Sequence, residues 1–172
     1  QSVKNGECNW IKQNQPEIWE KTAKYLFLSG FLTYKLIGQY SDSVANIVGY
    51  VPFDYKKQQW AKDHDIISKM FPIERSKLPS LVKPSELLGT ISKEASLQTG
   101  IPEGLPLIAA AADKASEVLG SGVIAPEVAC LGYGTTATVQ TVPKQYVRVL
   151  NFLGNFHFGF IFSYHCSRFK SQ

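Results

Sequence analysis

The spacing of apolar residues changes around residues 105–122. Residues 105–112 form a short apolar run flanked by glycine and proline, which predicts a buried strand. Residues 114–122 have the apolar spacing of a short helix that glycine closes. Asp113 lies between the two, and a carboxylate at the carboxyl end of a buried strand points into the crevice where open α/β sheets bind ligands. The pattern therefore makes Asp113 a candidate functional acid.

A second candidate segment begins ten residues after this helix. Residues 130–138 form a turn of small residues between two apolar runs. Glycines let backbone N–H groups approach phosphate oxygens, and a threonine hydroxyl adds a donor. An acid and a phosphate-compatible turn, joined by a helix, suggest phosphoryl transfer to a hydroxyl. Two plainer interpretations stay open: Asp113 as a helix N-cap, and the Gly-x-Gly-Thr-Thr segment as a simple β-hairpin.

The rest of the chain alternates between helical and extended patterns, which favours an α/β layer architecture. Ser29 can cap a helix whose apolar face includes Leu32 and Leu36, with Gly38 as its end. The other expected elements are helices over 16–27, 58–70 and 92–99, and a strand over 44–51 that Pro52 ends. The tryptophans are expected to pack in the core rather than to form sugar platforms.

Composition and charge indicate a globular protein and give no support to nucleic-acid binding. The chain has 172 residues, of which 44% are apolar and 19% charged, as in globular proteins. The net charge is +4, but residues 144–172 hold four basic groups and no acid, so residues 1–143 carry 14 basic and 14 acidic groups. A neutral body gives no support to nucleic-acid binding.

The cysteines and histidines predict neither a disulfide framework nor a metal centre. Three cysteines lie far apart without a CxxC pair, and no histidine has ligand spacing to them. We therefore expect no metal ligands from the protein itself. An odd, scattered set of cysteines without a signal peptide indicates a reducing compartment, so we expect a cytoplasmic protein.

Three blocks of sequence resemble the FGGY family of carbohydrate kinases. Residues 10–19 resemble the family's Trp-Leu-Lys-x-Asn-x-Pro-Glu-x-Trp helix start. Residues 36–46 resemble its Leu-Thr-Gly-Glu-x-x-Thr-Asp-x-Ser-Asn block, and residues 87–91 with 99–108 resemble the approach to its Gly-Asp motif. The order and spacing of the blocks make the resemblance fairly specific, and it extends from Trp10 to about Thr141.

The resemblance implies a fold and a set of roles. The fold would be α/β, the actin-like ATPase (ribonuclease H-like) fold, in an incomplete form. Asp113 would take the proton from the sugar hydroxyl, and Gly134, Thr135 and Thr136 would contact the phosphates of ATP. Magnesium would be held mostly by nucleotide and water. Asp42 lies in a block near the family's substrate cleft and could orient the substrate, although a structural turn aspartate is the alternative.

Two residues depart from the family pattern. Ala112 replaces the usual glycine before the aspartate and adds a methyl group at a close approach. Lys114 replaces a neutral or amide side chain, and a cation beside the base would lower the pKa of that carboxylate. The departures leave room for an alternative function, a non-catalytic sugar- or nucleotide-sensing module on the same fold.

The resemblance also implies a domain organisation. Residues 1–125 correspond to the end of the sugar-binding domain, 126–143 to the start of the nucleotide-binding domain, and 144–172 to an aromatic-rich tail that does not match the family. Residues 149–167 carry no charge, but asparagine and histidine interrupt them, so we expect no membrane span; an altered carboxyl terminus is the preferred explanation. We expect an inactive fragment of a kinase, with a homodimer possible for the full-length protein.

Overall fold

The computed structural model describes residues 6–133, 137–144, 157–158 and 161–166. The chain divides into two compact units. Unit 1 comprises residues 1–54 and 58–111, and unit 2 comprises residues 55–57 and 112–172.

The described residues of unit 1 form five short α-helices, and several have clear local start or stop signals. Pro16 occupies the first turn of α2, where its missing N–H costs nothing. Gly38 ends α3 in the left-handed conformation at φ +73°. Ser92 caps α5 by accepting a hydrogen bond from the Ala95 N–H. The bounds are α1 Glu7–Asn14, α2 Pro16–Lys21, α3 Leu28–Ile37, α4 Ile66–Met70 and α5 Lys93–Thr99.

The strands of unit 1 form three separate pairs. β1 (Ser41–Ser43) runs parallel to β4 (Ser80–Val82), with Asp42 opposite Leu81. The antiparallel pairs are β2 (Phe53–Asp54) with β3 (Gln59–Trp60), and β5 (Leu87–Thr90) with β6 (Pro106–Ile108), the latter containing a register shift between Leu87 and Gly89.

The described residues of unit 2 form one helix and an antiparallel sheet. Helix α6 is Asp113–Gly120. The strands are β7 (Ala129–Tyr133), β8 (Ala137–Thr141), β9 (His157–Phe158) and β10 (Ile161–Cys166), in the spatial order β7-β8-β10-β9. The predicted helix after Asp113 and the two strands around the small-residue turn are thus confirmed. In the part of the chain that is described, no helix is both long and apolar enough to cross a bilayer.

Two expected elements of unit 1 are wrong because side chains bind the backbone. The strand predicted over 44–51 does not form; Val44–Asn46 is a 3-10 turn whose first N–H groups are partly satisfied by the Ser43 hydroxyl. The helix expected over 16–27 ends at Lys21, where the Thr22 hydroxyl donates to the Ile18 carbonyl.

Three further expectations are wrong. The helix over 58–70 is reduced to α4, because Trp60 lies in β3, packs edge-on against Phe53 and donates its indole N–H to the Pro79 carbonyl. The apolar run 105–112 forms only the short strand β6, which is half exposed rather than buried. Leu32 is exposed, since α3 buries Gly30, Thr33 and Ile37 instead.

Trp19 joins the first two helices to the loop around residue 74. Its indole N–H donates to both carboxylate oxygens of Glu74, at 3.3 and 3.2 Å. The Lys12 ammonium lies over the indole ring and also pairs with Glu74 at 3.1 Å. Burial alone would raise the pKa of Glu74, but hydrogen bonds from its own backbone N–H, Trp19 and Lys12 hold that pKa below its usual value.

We predict that Glu74→Gln removes a pH-dependent part of the stability. A carboxyl group with a lowered folded-state pKa stabilises the fold above its unfolded pKa, about 4.3, and loses that effect as the pH falls through the folded value. Because the side chain is 48% exposed, we expect less than about 1 kcal/mol at pH 7. Urea unfolding at pH 7 and pH 3 measures the difference, which should shrink at the lower pH.

Glu20→Gln is the matched control, since Glu20 is an exposed acid on the same short helix as Trp19. It should change the free energy of unfolding equally little at both pH values. An identical pH dependence for the two variants would contradict the assigned role of Glu74.

Candidate functional site

Asp113 is the first residue of α6 and is exposed to solvent. The N-cap position belongs to Ala112, whose backbone is extended at φ −59° and ψ 156°. The alternative in which Asp113 itself is the N-cap is therefore wrong. One of its oxygens, Oδ1, accepts the Lys114 backbone N–H at 2.7 Å. A helix start of this kind presents a carboxylate to solvent on a rigid element, which suits a base that must meet a hydroxyl.

Lys114 pairs with a neighbour on the same helix. Its Nζ lies 2.7 Å from Oε2 of Glu117. This hydrogen bond raises the pKa of the Lys114 ammonium, and the charges of Glu117, Asp113 and Cys130 act in the same direction.

Gly132 in β7 brings the hairpin close to the first turns of α6. A Cβ at this position would lie 2.7 Å from Oγ1 of Thr138, 3.8 Å from Oε1 of Glu117 and 4.0 Å from Nζ of Lys114. The Lys114–Glu117 pair therefore lies against the strand that leads into the predicted phosphate motif. The motif residues Gly134, Thr135 and Thr136 themselves lie outside the described residues. Gly132 is the first glycine of the Gly-x-Gly-Thr-Thr segment, but the sequence pattern gave it no role separate from that of the motif.

The hairpin has one polar and one apolar face. Thr138 and Gln140 are buried, and register places them opposite Gly132 and Cys130. Leu131, Tyr133 and Val139 alternate with these positions and are exposed. Nε2 of Gln140 lies 3.5 Å from the Thr138 hydroxyl, and its Oε1 has no hydrogen-bond partner within the described structure. The polar face thus includes Gly132, where the Lys114–Glu117 pair lies.

Asp42 is held in the interior of unit 1 and is only 1% exposed. Its Oδ2 accepts the Ser29 hydroxyl at 2.7 Å, and its Oδ1 accepts the Ser43 N–H at 2.7 Å and the Asn46 amide at 3.0 Å. Gly30 leaves room for it, since a Cβ there would lie 3.1 Å from Oδ2. This geometry supports the structural alternative for Asp42, and a direct contact with substrate stays a prediction.

Metal-binding side chains do not cluster in the described residues, where no three histidine, cysteine or acidic groups gather. The acidic groups at the start of α6 are Asp113 and Glu117, and Glu117 is already paired with Lys114. The chemistry that these residues offer is that of a proton acceptor beside a cation.

Comparisons with known proteins agree on one family. The model of the N-terminal domain of the FGGY family of carbohydrate kinases matches residues 6–120. The chain is 39% identical over 107 residues to the uncharacterized sugar kinase YgcE of Escherichia coli, covering 62% of this chain and 22% of that protein. It is 26% identical over 149 residues to the xylulose kinase of Lactococcus lactis, covering 87% of this chain and 28% of that protein.

Solved structures show the same fold. The ligand-bound xylulose kinase of Lactobacillus acidophilus matches with a TM-score of 0.79 at 17% identity, over 94% of this chain and 32% of that one. The xylulose kinase of Rhodospirillum rubrum matches with a TM-score of 0.74 at 19% identity, over 91% and 32%. The predicted α/β, actin-like ATPase fold is thereby confirmed. The chain spans between about a fifth and a third of the length of these proteins.

We predict that Asp42→Ala is strongly destabilising, whereas Asp42→Asn is better tolerated. Alanine leaves the buried Ser43 N–H and the Asn46 amide without their acceptor, at about 1–3 kcal/mol for each unsatisfied group. Asparagine retains one carbonyl oxygen for these donors, and its amide can donate to the Ser29 hydroxyl after that hydroxyl rotates. Urea unfolding of both variants measures the difference, and equal losses would contradict the hydrogen-bonding role.

Proposed function

Because the chain belongs to the FGGY family of carbohydrate kinases, we propose that the whole protein transfers the γ-phosphoryl group of ATP to a hydroxyl of a sugar or polyol. The observation that carries the proposal is the exposed Asp113 carboxylate at the start of α6, a helix whose Lys114 and Glu117 side chains lie close to Gly132 of the hairpin. The family match supports the chemistry, and the exposure of Asp113 supports its assignment as the acid that performs it.

Asp113 acts as the general base in this proposal. As the substrate hydroxyl oxygen bonds to the γ-phosphorus, its proton passes to the Asp113 carboxylate, and the bond between the γ-phosphorus and the ADP oxygen breaks. Phosphoryl transfer needs mainly positioning and charge stabilisation from the protein. A positioned base contributes on the order of a hundred- to ten-thousand-fold to the rate.

The hairpin supplies contacts to ATP. Gly134, Thr135 and Thr136 would donate backbone and hydroxyl hydrogen bonds to the phosphates. Bound Mg²⁺ would neutralise phosphate charge, and we expect the phosphates and water to hold most of its coordination positions.

A pentulose is the first substrate to test. Several relatives are named as xylulose kinases, and others as L-fuculokinase or, among the solved structures, as gluconate and glycerol kinases. The substrate class that we propose is correspondingly broad: pentuloses, polyols such as glycerol, and related sugars. Asp42 would help to orient the substrate from the corner that it stabilises between α3 and β1.

The proposal also covers the domain boundaries, the cellular location and the oligomeric state. Residues 1–125 would belong to the sugar-binding domain and 126–143 to the nucleotide-binding domain, with 144–172 outside the family pattern. The protein would act in the cytoplasm, and the full-length form could be a homodimer.

We predict that Asp113→Asn in the full-length protein abolishes nearly all turnover while sugar affinity is kept. The amide cannot take the proton, so kcat should fall by about a hundredfold or more. ADP release under saturating ATP and Mg²⁺ measures turnover, and calorimetry measures sugar binding. Asp63→Asn, at an exposed acid of unit 1, is the matched control and should leave both unchanged. Unchanged turnover in Asp113→Asn would favour the non-catalytic sensing module instead.

We also predict that the 172-residue chain alone has no kinase activity. It spans under a third of the length of the kinases that it matches, so more than two thirds of their length has no counterpart in it. ADP release should stay at background with a panel of pentuloses and polyols. Steady-state turnover by the purified chain would contradict this prediction.

A further inference from the structure

We propose that Lys114 binds the phosphate chain of the nucleotide, and that Glu117 is its partner when no phosphate is bound. The ammonium would leave Glu117 and pair with phosphate oxygens beside the attacked phosphorus. This inference rests on the proposed kinase function, because it assigns one more residue to the same site.

The position of Lys114 is the first argument. It follows Asp113 directly, and its backbone N–H donates to Oδ1 of Asp113. Its Nζ lies 4.0 Å from the place that a Cβ on Gly132 would occupy. The ammonium thus lies against β7, and it belongs to the residue next to the proposed base. A phosphoryl group that is transferred to a hydroxyl at Asp113 would come within reach of this cation.

The second argument is that the ion pair between Lys114 and Glu117 is weak. The side chains of Lys114 and Glu117 are 49% and 42% exposed, three residues apart on one helix. Exposed ion pairs of this kind contribute little and exchange readily with solvent or other ions. A phosphate offers more negative charge and several strong acceptor oxygens, so it competes well for an ammonium group.

The chemistry of the reaction gives the third argument. In phosphoryl transfer, negative charge is spread over the equatorial oxygens of the transferred group, and protein cations stabilise it. Lysine supplies a compact point charge on a flexible stem, which lets it move from one acceptor to another. Glu117 then has a definite role, since it keeps the ammonium close to the hairpin and away from the Asp113 carboxylate until phosphate arrives.

The test measures binding of inorganic tripolyphosphate to the 172-residue chain by calorimetry at fixed ionic strength, without Mg²⁺. Tripolyphosphate supplies the phosphate chain without requiring an adenine pocket. The variants are Lys114→Gln, Lys114→Arg and Glu117→Gln. The matched control is Lys144→Gln, which removes another exposed lysine of unit 2 whose acidic neighbour, Glu127, lies 3.9 Å away.

We expect Lys114→Gln to weaken binding about tenfold, since a charge-assisted hydrogen bond to phosphate is lost. Lys114→Arg should bind almost as well as the unchanged chain. Glu117→Gln should bind roughly two- to threefold more tightly, because it removes a carboxylate that competes weakly with phosphate for the Lys114 ammonium. Lys144→Gln should bind as the unchanged chain does. If Lys114→Gln unfolds, as far-ultraviolet circular dichroism would show, the arginine and Glu117 variants still decide the matter.

Equal weakening by Lys114→Gln and Lys144→Gln would overturn the inference, because it would indicate general charge attraction. Two other results would also overturn it. One is that the unchanged chain shows no saturable binding. The other is that neither Glu117→Gln nor Lys114→Arg binds more tightly than Lys114→Gln. The kinase proposal is tested separately by turnover of the full-length protein. If the full-length protein turns over but phosphate binding does not depend on Lys114, the kinase proposal holds and this inference is wrong. If phosphate binding depends on Lys114 but the full-length protein does not turn over, the phosphate site holds and the kinase proposal is wrong.

Discussion

The close approach at Gly132 is the constraint on which the functional unit depends. With a Cβ here, Oγ1 of Thr138 on the neighbouring strand would lie only 2.7 Å away, whereas Oε1 of Glu117 and Nζ of Lys114 would lie at ordinary contact distances of 3.8 and 4.0 Å. A residue without Cβ therefore lets the Thr138 hydroxyl lie directly against β7, with the Lys114–Glu117 pair beside the same position. The proposed base and the strand entering the phosphate motif belong to one compact unit.

Unit 1 is organised by a different interaction, the buried carboxylate of Asp42. Three donors converge on it from α3, from β1 and from the 3-10 turn that follows β1. A buried anion is costly unless such donors replace water. The corner between α3 and β1 is therefore specified by one side chain, and Gly30 makes room for it. A residue can lie in a motif near a substrate cleft and still serve the scaffold.

The sequence predicted the features that local chemistry controls. Gly38 and Gly100 end their helices in the left-handed conformation, because glycine carries this preference itself. The helix expected after Asp113 also forms, although the strand before it ends at Ile108 and is half exposed rather than buried. The N-cap expected at Ser29 is wrong: Phe27 is the N-cap of α3, and the Ser29 hydroxyl donates to Asp42 instead. The roles of Asp113, Gly134, Thr135 and Thr136 came from the family resemblance, not from spacing.

Features set by distant contacts were missed. Trp60 takes its extended conformation from Phe53 and Pro79, which no pattern around residue 60 reveals. The i,i+3 spacing of Lys114 and Glu117 on a helix is enough to predict their ion pair. The position of that pair against Gly132 could not be predicted, because it depends on how the hairpin folds back. Local periodicity also predicted helices that are too long. It takes no account of side-chain hydroxyl groups that bind the backbone at a helix end, such as that of Thr22.

The most direct test is a crystal structure of the full-length protein with a bound sugar and a non-hydrolysable ATP analogue. We expect a carboxylate oxygen of Asp113 within about 3.2 Å of the sugar hydroxyl that faces the γ-phosphate. Another acidic side chain in that position, with Asp113 bound only to its own helix, would contradict the assignment of Asp113 as the base.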